Sequence, residues 1–265
     1  YEIVDYKADL KYDSRFTGFF PRMYSSQNQH VEDYKSWVDI EGRKVSVRNN
    51  QGKTVQRTVP SVGSNLAFFF KYQVGHMYLR YFMWNFSGRQ NDIQGHGNVR
   101  DGNWISGLSF IDDKRLGDQE SLPDHLKNNP ARNAYYMLPF LLGIIGALYQ
   151  LKKEKKDFVV VLMLFILTGV AIVYYLNQYP HQPRERDYAY AGSFYAFSIW
   201  IGFSVLAISQ YLRKIFKPMG GSILTALILL IVPLQMASEN WDDHDRSGRY
   251  TTRDFASNYL NSCRP

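Results

Sequence analysis

Four ionisable side chains stand in a row at Arg184-Glu185-Arg186-Asp187, with His181 three positions before them and Tyr188 directly after. An arginine presents a planar fork of donors that meets a phosphate at two points, whereas lysine offers a point charge. Two such forks can grip a phosphate or pyrophosphate, with Glu185 and Asp187 orienting them and His181 adding a further bond. The same side chains can instead form an ion-pair network that ties two helix ends together, with His181 a packed loop residue. The neighbourhood bears on the choice. The run lies in a short connection between two apolar stretches, 158–176 and 194–212. About 20 apolar residues cross a bilayer as a helix, so these charges sit at or near a membrane surface. Charge there is costly unless paired or used, and a basic-acidic cluster at such a mouth suits a phosphate-bearing lipid or its head group.

Two further constellations carry chemistry. Gly88-Arg89-Gln90-Asn91-Asp92-Ile93-Gln94-Gly95-His96-Gly97 is dense in donors and acceptors, and its glycines permit close backbone approach. Arg89, Asn91, Asp92 and His96 are candidates for a sugar or acceptor loop; the competing reading is a loop hydrogen-bonded to itself. Trp241-Asp242-Asp243-His244-Asp245-Arg246 gathers carboxylates and a histidine, which makes Asp242, Asp243 and His244 candidate ligands for a divalent cation. Their spacing does not match a calcium loop. Aspartates also start helices, and 250–260 has a helical pattern, so capping and solvation are the preferred roles and no divalent metal is expected. A Gly-rich phosphate loop ending in Lys-Ser/Thr, a nucleophile elbow and a zinc-protease helix are all missing from the sequence.

The elements that must position these groups are legible in outline. Residues 1–60 are polar and turn-rich. Val45-Ser46-Val47-Arg48 and Thr54-Val55-Gln56-Arg57-Thr58-Val59 alternate around Asn49-Asn50-Gln51-Gly52, which predicts a β-hairpin. Trp37-Val38-Asp39-Ile40 is a candidate third strand. Residues 61–133 divide into an aromatic segment, 61–86, interrupted by Lys71, Gln73, His76 and Arg80, and a Gly/Asn/Asp-rich stretch. The interior charges favour an interfacial amphipathic helix over a spanning one, followed by an ordered extracytoplasmic loop. The aromatic run 68–84 reads as packing or interface anchoring, with a sugar-stacking platform as the alternative. Residues 134–238 hold four apolar segments, 135–151, 158–176, 194–212 and 222–237, expected as four transmembrane helices. Residues 239–265 are expected to start a following extracytoplasmic domain. The fold class expected is therefore mainly α and integral to the membrane. Lys152-Lys153-Glu154-Lys155-Lys156 and Arg213-Lys214-Ile215-Phe216-Lys217 fall on one side of such a bundle, and lysine and arginine mark the cytoplasmic side. Arg184 and Arg186 are then on the disfavoured, outward side, which points to a specific use.

Composition narrows the classes. Among 265 residues, 45% are hydrophobic and 16% aromatic, yet the mean hydropathy is negative; apolar residues must be segregated. The net charge of +7 comes partly from basic residues flanking the spans, and without a basic helix or nucleic-acid motif no nucleic-acid partner is expected. A single cysteine, Cys263, excludes an intrachain disulfide and a thiolate-rich metal site. The chain opens on Tyr1-Glu2-Ile3 and closes on Ser262-Cys263-Arg264-Pro265, and is read as an internal piece of a longer protein.

The stretches 88–97, Gly102-Asn103-Trp104-Ile105-Ser106-Gly107, 176–202 and 236–263 occur in an order that resembles a bacterial membrane family, best represented in Bacteroidetes and described as protein O-mannosyltransferase-like. The resemblance covers roughly residues 60–265. It implies a GT-C type glycosyltransferase of the bacterial inner membrane, its loops facing the periplasm, that moves a sugar from a polyprenyl-phosphate donor to a protein Ser or Thr. The partners implied are membrane lipid, a lipid-linked sugar and an acceptor protein. In such folds an acidic residue of the first extracytoplasmic loop activates the acceptor hydroxyl. That loop would precede Tyr1, so no catalytic residue is carried onto this sequence, and the fragment alone is expected to be inactive. On this resemblance Arg184 and Arg186 would steady the departing lipid phosphate. Two other classes stay open: a non-catalytic scaffold or envelope-assembly subunit, and a lipid-linked sugar transporter or flippase, which broken helices with midplane charges would favour.

Overall fold

The structure is a computed structural model and describes residues 17, 20–25, 27–48, 51–244 and 247–263, with the backbone alone at 242–244. Near the start of the chain, Val31, Tyr34 and Val38 recur every three to four residues, the period of a helix. They form α1, Asn28–Trp37, which buries Tyr34 to 2% exposure. Trp37, a candidate for opening a third strand, thus closes a helix instead. The alternating segments pair as expected: β1, Gly42–Arg48, runs antiparallel to β2, Thr54–Pro60, from Gly42↔Pro60 to Arg48↔Thr54. Asn49 and Asn50 of the connecting turn lie outside the described residues. Val45, Val47, Val55 and Val59 make one half-buried face, and most of the other hairpin residues are exposed.

A continuous helix follows. Ser61 caps it, its Oγ accepting from the Ser64 N–H at 3.1 Å. It comprises α2, Val62–Phe68, a run of wide π-type turns, Phe69–Leu79, and α3, Arg80–Phe86. The Arg80 N–H reaches back five residues to the Gly75 carbonyl. Wide turns of this kind are rare and recur at functional sites. This is the segment expected at the membrane interface. It is helical, but its aromatic side is taken up by the protein: Phe82 meets Phe197 at 4.8 Å and Tyr78 meets Tyr190 at 5.4 Å. Phe68, Tyr72, Tyr78, Tyr81 and Phe82 are all buried. The expanded turns spread apolar residues around the helix, so no single stripe is left for lipid.

Residues 88–134 are mostly turns, as their composition requires. Short strands β3, Gly88–Arg89, and β4, Asn133–Ala134, pair antiparallel, and α4, Ser109–Leu116, and α5, Asp124–Lys127, lie between them. The apolar second half then forms α6, Leu138–Lys153; α7, Lys155–Leu167; α8, Val170–Leu176; a 3₁₀ turn, Asp187–Tyr190, leading into α9, Ala191–Ile215; α10, Pro218–His244; and α11, Thr251–Ser262. Three of these stretches are long and apolar enough to cross a membrane: Lys155–Leu176, Asp187–Ile215 and Pro218–Trp241. The first of the four expected segments, α6, has 16 residues, about 24 Å of helix, short of a hydrocarbon core of about 30 Å. Pro139 begins it, and Glu154, in an extended conformation, ends it.

α6 and α9 lie side by side because α6 presents no side chain at two positions. A Cβ at Gly143 would fall 2.2 Å from the Phe197 ring, and one at Gly146 would fall 1.7 Å from the Trp200 carbonyl oxygen. The pairing is locked by the Trp200 Nε1–H, which donates to Gln150 Oε1 at 2.8 Å. The bundle therefore has two unlike ends. Lys152–Lys156 and Arg213–Lys217 are at one; residues 20–137, the 177–186 loop and the last turns of α10 are at the other. Between α7 and α8 the helix breaks at Thr168-Gly169, where Tyr78 Oη and Ser193 Oγ approach to 2.6 Å and Ser193 Oγ donates to the Phe165 carbonyl at 2.9 Å.

Candidate functional site

One face of the central helix holds the 177–186 loop. Tyr72 with Gln73, then His76, then Arg80 with Tyr81 follow one another at intervals of three to five residues, about one turn of the helix, and so lie on one side. The Tyr72 hydroxyl donates to the Tyr179 carbonyl at 3.3 Å. Gln73 Nε2 donates to Asn177 Oδ1 at 3.1 Å and to the Gln178 carbonyl at 2.8 Å. The connection that the sequence marks as chemical is thus laid along a rigid element and is not a free tether.

Glu185 does not orient Arg184 or Arg186, as the spacing suggested. Its carboxylate faces Arg80, whose Nη2 is 2.9 Å and Nη1 3.3 Å from the two oxygens. Tyr81 Oη–H donates to the same carboxylate, and burial with the nearby carboxylate raises the Tyr81 pKa, keeping it a donor. Arg80 is 4% exposed. Its remaining donors are used inside the protein: Nε to the His76 carbonyl at 2.9 Å and Nη1 to the Gly102 carbonyl at 2.9 Å. Its guanidinium lies 4.7 Å from the rings of both Tyr81 and Trp84. Gly102, at φ +58°, is what lets that carbonyl come so near, since a Cβ there would stand 3.2 Å from Arg80 Nη1. Sequence reasoning passed over Arg80 as an interruption in an aromatic helix. The available signal was that a charge in such a setting requires a partner.

With Glu185 occupied, neither Arg184 nor Arg186 has an ion-pair partner among the described residues. Arg184 is exposed and leans on Tyr188, Nη2 to Oη at 3.2 Å. Arg186 is half-buried; its backbone N–H donates to Tyr81 Oη at 3.3 Å, and its buried Nε has no hydrogen-bond partner among the described residues. Asp187 is exposed and turns toward a cleft of about 750 Å³ at the loop end of the bundle. α3 contributes Trp84 and Asn85 to the cleft, the β3–β4 pair contributes Arg89 and Asn133, and α10 contributes Asn240 and Trp241. The Arg89 guanidinium lies 4.2 Å from the Trp84 ring, whose buried Nε1 has no hydrogen-bond partner among the described residues. The end of α10 is pinned here by Glu239 Oε2, which accepts from the Ala134 N–H at 2.9 Å. Aromatic faces, amides, one arginine and one carboxylate are the groups that hold a sugar ring.

The other sequence candidates are dispersed. Asn91 is 1% exposed and serves the loop itself: Oδ1 accepts from Gly102 N–H at 2.8 Å and Ile93 N–H at 3.2 Å. Asp92 accepts from Asn129 Nδ2 at 3.0 Å. His96 stacks on His181 at 4.2 Å, and His181 Nε2 meets Asp33 Oδ1 at 3.1 Å. The histidine thought to serve a phosphate therefore joins α1 to the loop. The side chains of Asp242, Asp243 and His244 lie outside the described residues; among those described, no group of three or more His, Cys, Asp or Glu side chains is arranged to hold a metal.

His76 gives this region a pH dependence. Burial, reinforced by Arg80, pulls its pKa down to about 3 from 6.5. A base whose folded pKa is lowered stays neutral in the native state while the unfolded chain takes up a proton, so stability is fully present above pH 6.5 and falls as pH drops toward 3. Thermal unfolding in detergent should show a loss on the order of 2–3 kcal/mol between pH 7 and pH 4 that His76→Gln removes. An unchanged slope in that variant would show that His76 is not the group responsible.

A model of a family described only as a family of unknown function (DUF8416) matches residues 1–70, a segment that takes in α1, the hairpin and the start of the central helix. No curated protein matches the chain, and no solved structure matches it.

Proposed function

We propose that this chain forms the donor-side part of a membrane glycosyltransferase that takes a sugar from a polyprenyl-phosphate carrier at the loop end of the bundle and passes it to a protein Ser or Thr. The observation that carries the reading is the unpaired state of Arg184 and Arg186. An ion-pair network would have matched them with Glu185 and Asp187; instead Arg80 takes Glu185, and among the described residues neither arginine has an ion-pair partner and the Arg186 Nε has no hydrogen-bond partner. The adjoining cleft, with Trp84, Arg89, Asp187 and Trp241, suits the sugar that such a lipid would carry. The reading agrees with the resemblance of 88–97, 176–202 and 236–263 to protein O-mannosyltransferase-like proteins of Bacteroidetes. It takes α6 as a fourth, short span beside α9, the basic end as cytoplasmic and the loop end as periplasmic in a bacterial inner membrane. Exposed Tyr136, Tyr175, Tyr188 and Trp241 at the loop end fit an interfacial aromatic belt.

A lipid-linked sugar transporter is favoured by one feature, the break at Thr168-Gly169. The carbonyl of Phe165 beside the break is bonded by Ser193, however, and among the described residues no charged side chain is hydrogen-bonded at the break, whereas transporter sites use such breaks to hold ions or substrate. The topology is tested by labelling introduced cysteines in intact cells. Pro183→Cys, at an exposed position, should react with an impermeant maleimide, and Lys155→Cys should not. The opposite pattern would invert the orientation and remove the donor site from the periplasmic face. The donor itself is tested by binding of a polyprenyl phosphate to the purified protein, where saturable binding is expected.

A further inference from the structure

The hairpin is an incomplete sheet. Among the described residues β1 and β2 pair only with each other, and two strands alone are marginal in water. The Ser61 N–H donates to the Glu41 carbonyl at 2.7 Å, which extends the observed register by one pair. Bonded pairs alternate along an antiparallel ladder, so Val59, Arg57 and Val55 turn their backbone groups toward β1. Thr58, Gln56 and Thr54 then turn theirs outward, along an edge that no strand covers among the described residues. That edge does not face open solvent. All of 55–60 lines a groove of about 1030 Å³ whose opposite wall includes Val31, Tyr34 and Lys35 of α1.

The charge of the groove is one-sided. Among the described residues that line it are Arg22, Lys35, Arg48 and Arg57 and no aspartate or glutamate. Lys35 pairs with Glu32 at 2.7 Å; the other three have no ion-pair partner among the described residues. Val47, Val55 and Val59 supply apolar surface between the cations. We propose that this groove binds an extended acidic segment of a partner protein, added as a third strand along β2. Its backbone would pair with Thr54, Gln56 and Thr58; on the valine face its apolar side chains would lie on Val55 and Val59 with a carboxylate against Arg57 between them, and on the other face a carboxylate would meet Arg48. Backbone pairing supplies affinity in such strand addition, and the side-chain pockets supply selectivity. An uncovered edge is otherwise a hazard that proteins blunt with charge or proline; here Pro60 ends the edge, and the cations repel a second copy of the same strand.

On the transferase reading such a segment would belong to the acceptor protein, but the groove is separate from the donor cleft and the two are tested apart. The probe is a fluorescent ten-residue peptide alternating Glu with Val and Thr, titrated against the full chain in detergent, with the Lys-for-Glu peptide as its counterpart. Saturable binding of the acidic peptide that weakens with salt is expected, with at least tenfold weaker binding of the basic one. Thr58→Pro removes an outward N–H while leaving every bond to β1 and should weaken binding at least tenfold; Thr58→Val keeps the N–H and should not. Arg57→Glu should weaken it by a similar factor. Polyprenyl-phosphate binding should be the same in all three variants. Equal binding of both peptides, indifference to Thr58→Pro, or saturable uptake of anionic vesicles that displaces the peptide would each overturn the proposal, the last assigning the groove to lipid.

Discussion

Arg80→Ala should destabilise the protein by about 3–5 kcal/mol, the cost of leaving a buried charge without its partner. The side chain of Arg80 is 5% exposed and that of Glu185 is 19% exposed, so water cannot replace the lost fork. The substitution also abandons the carbonyls of His76 and Gly102 and the contact with the Trp84 ring. Arg80→Lys should fall between, since a single ammonium cannot serve the carboxylate and both carbonyls at once. Arg80→Met combined with Glu185→Leu should recover much of the loss, because removing both charges removes the desolvation they require. Chemical denaturation or melting in a fixed detergent reads all four proteins. A loss below about 1 kcal/mol for Arg80→Ala would mean that the pair behaves as an exposed one and that the loop is held by its other contacts, among them Tyr72, Gln73 and the His181–Asp33 pair.

Changing Arg184 and Arg186 together to lysine should do the reverse, lowering the melting temperature far less than Arg80→Ala because Arg184 is exposed and Arg186 only half-buried, and weakening polyprenyl-phosphate binding by about 10- to 100-fold. Charge-assisted bonds to a phosphate contribute about 1.5–3 kcal/mol each, and the lysines keep the charge while losing the fork. Of the two, Arg186→Lys should carry more of the effect, because its Nε is buried and has no hydrogen-bond partner among the described residues, whereas Arg184 is exposed against Tyr188. Glu185→Gln provides the contrast, with a lowered melting temperature through Arg80. Donor affinity unchanged within twofold in the double variant would end the phosphate reading and leave the arginines as surface charge. A fall in melting temperature equal to that of Arg80→Ala would instead make them part of the structural network.

The apolar stretches, their Lys/Arg flanks and the alternating hairpin strands are properties of short windows, and the sequence by itself determined them: apolar helices in the second half, one antiparallel pair and a position for Arg184 and Arg186 between two of the helices; of the four spans expected, three are long and apolar enough to cross a membrane. Side-chain period and length are local, so they survive in any fold the chain adopts. Partners are not local. Arg80 and Glu185 are 105 positions apart, and nothing in the run Arg184-Glu185-Arg186-Asp187 indicates that its glutamate belongs to another helix. The linear pattern paired neighbours; the tertiary structure paired Glu185 with a charge that had no other way to be buried. The same holds for Arg89, Asp187 and Trp241, which meet at one cleft only because β3–β4 and the end of α10 converge there. The central helix turned on the same distinction. Its interior polar residues signalled contact with water; Lys71 keeps that contact, whereas Gln73 and Arg80 are satisfied by the 177–186 loop and His76 meets the Gly95 carbonyl.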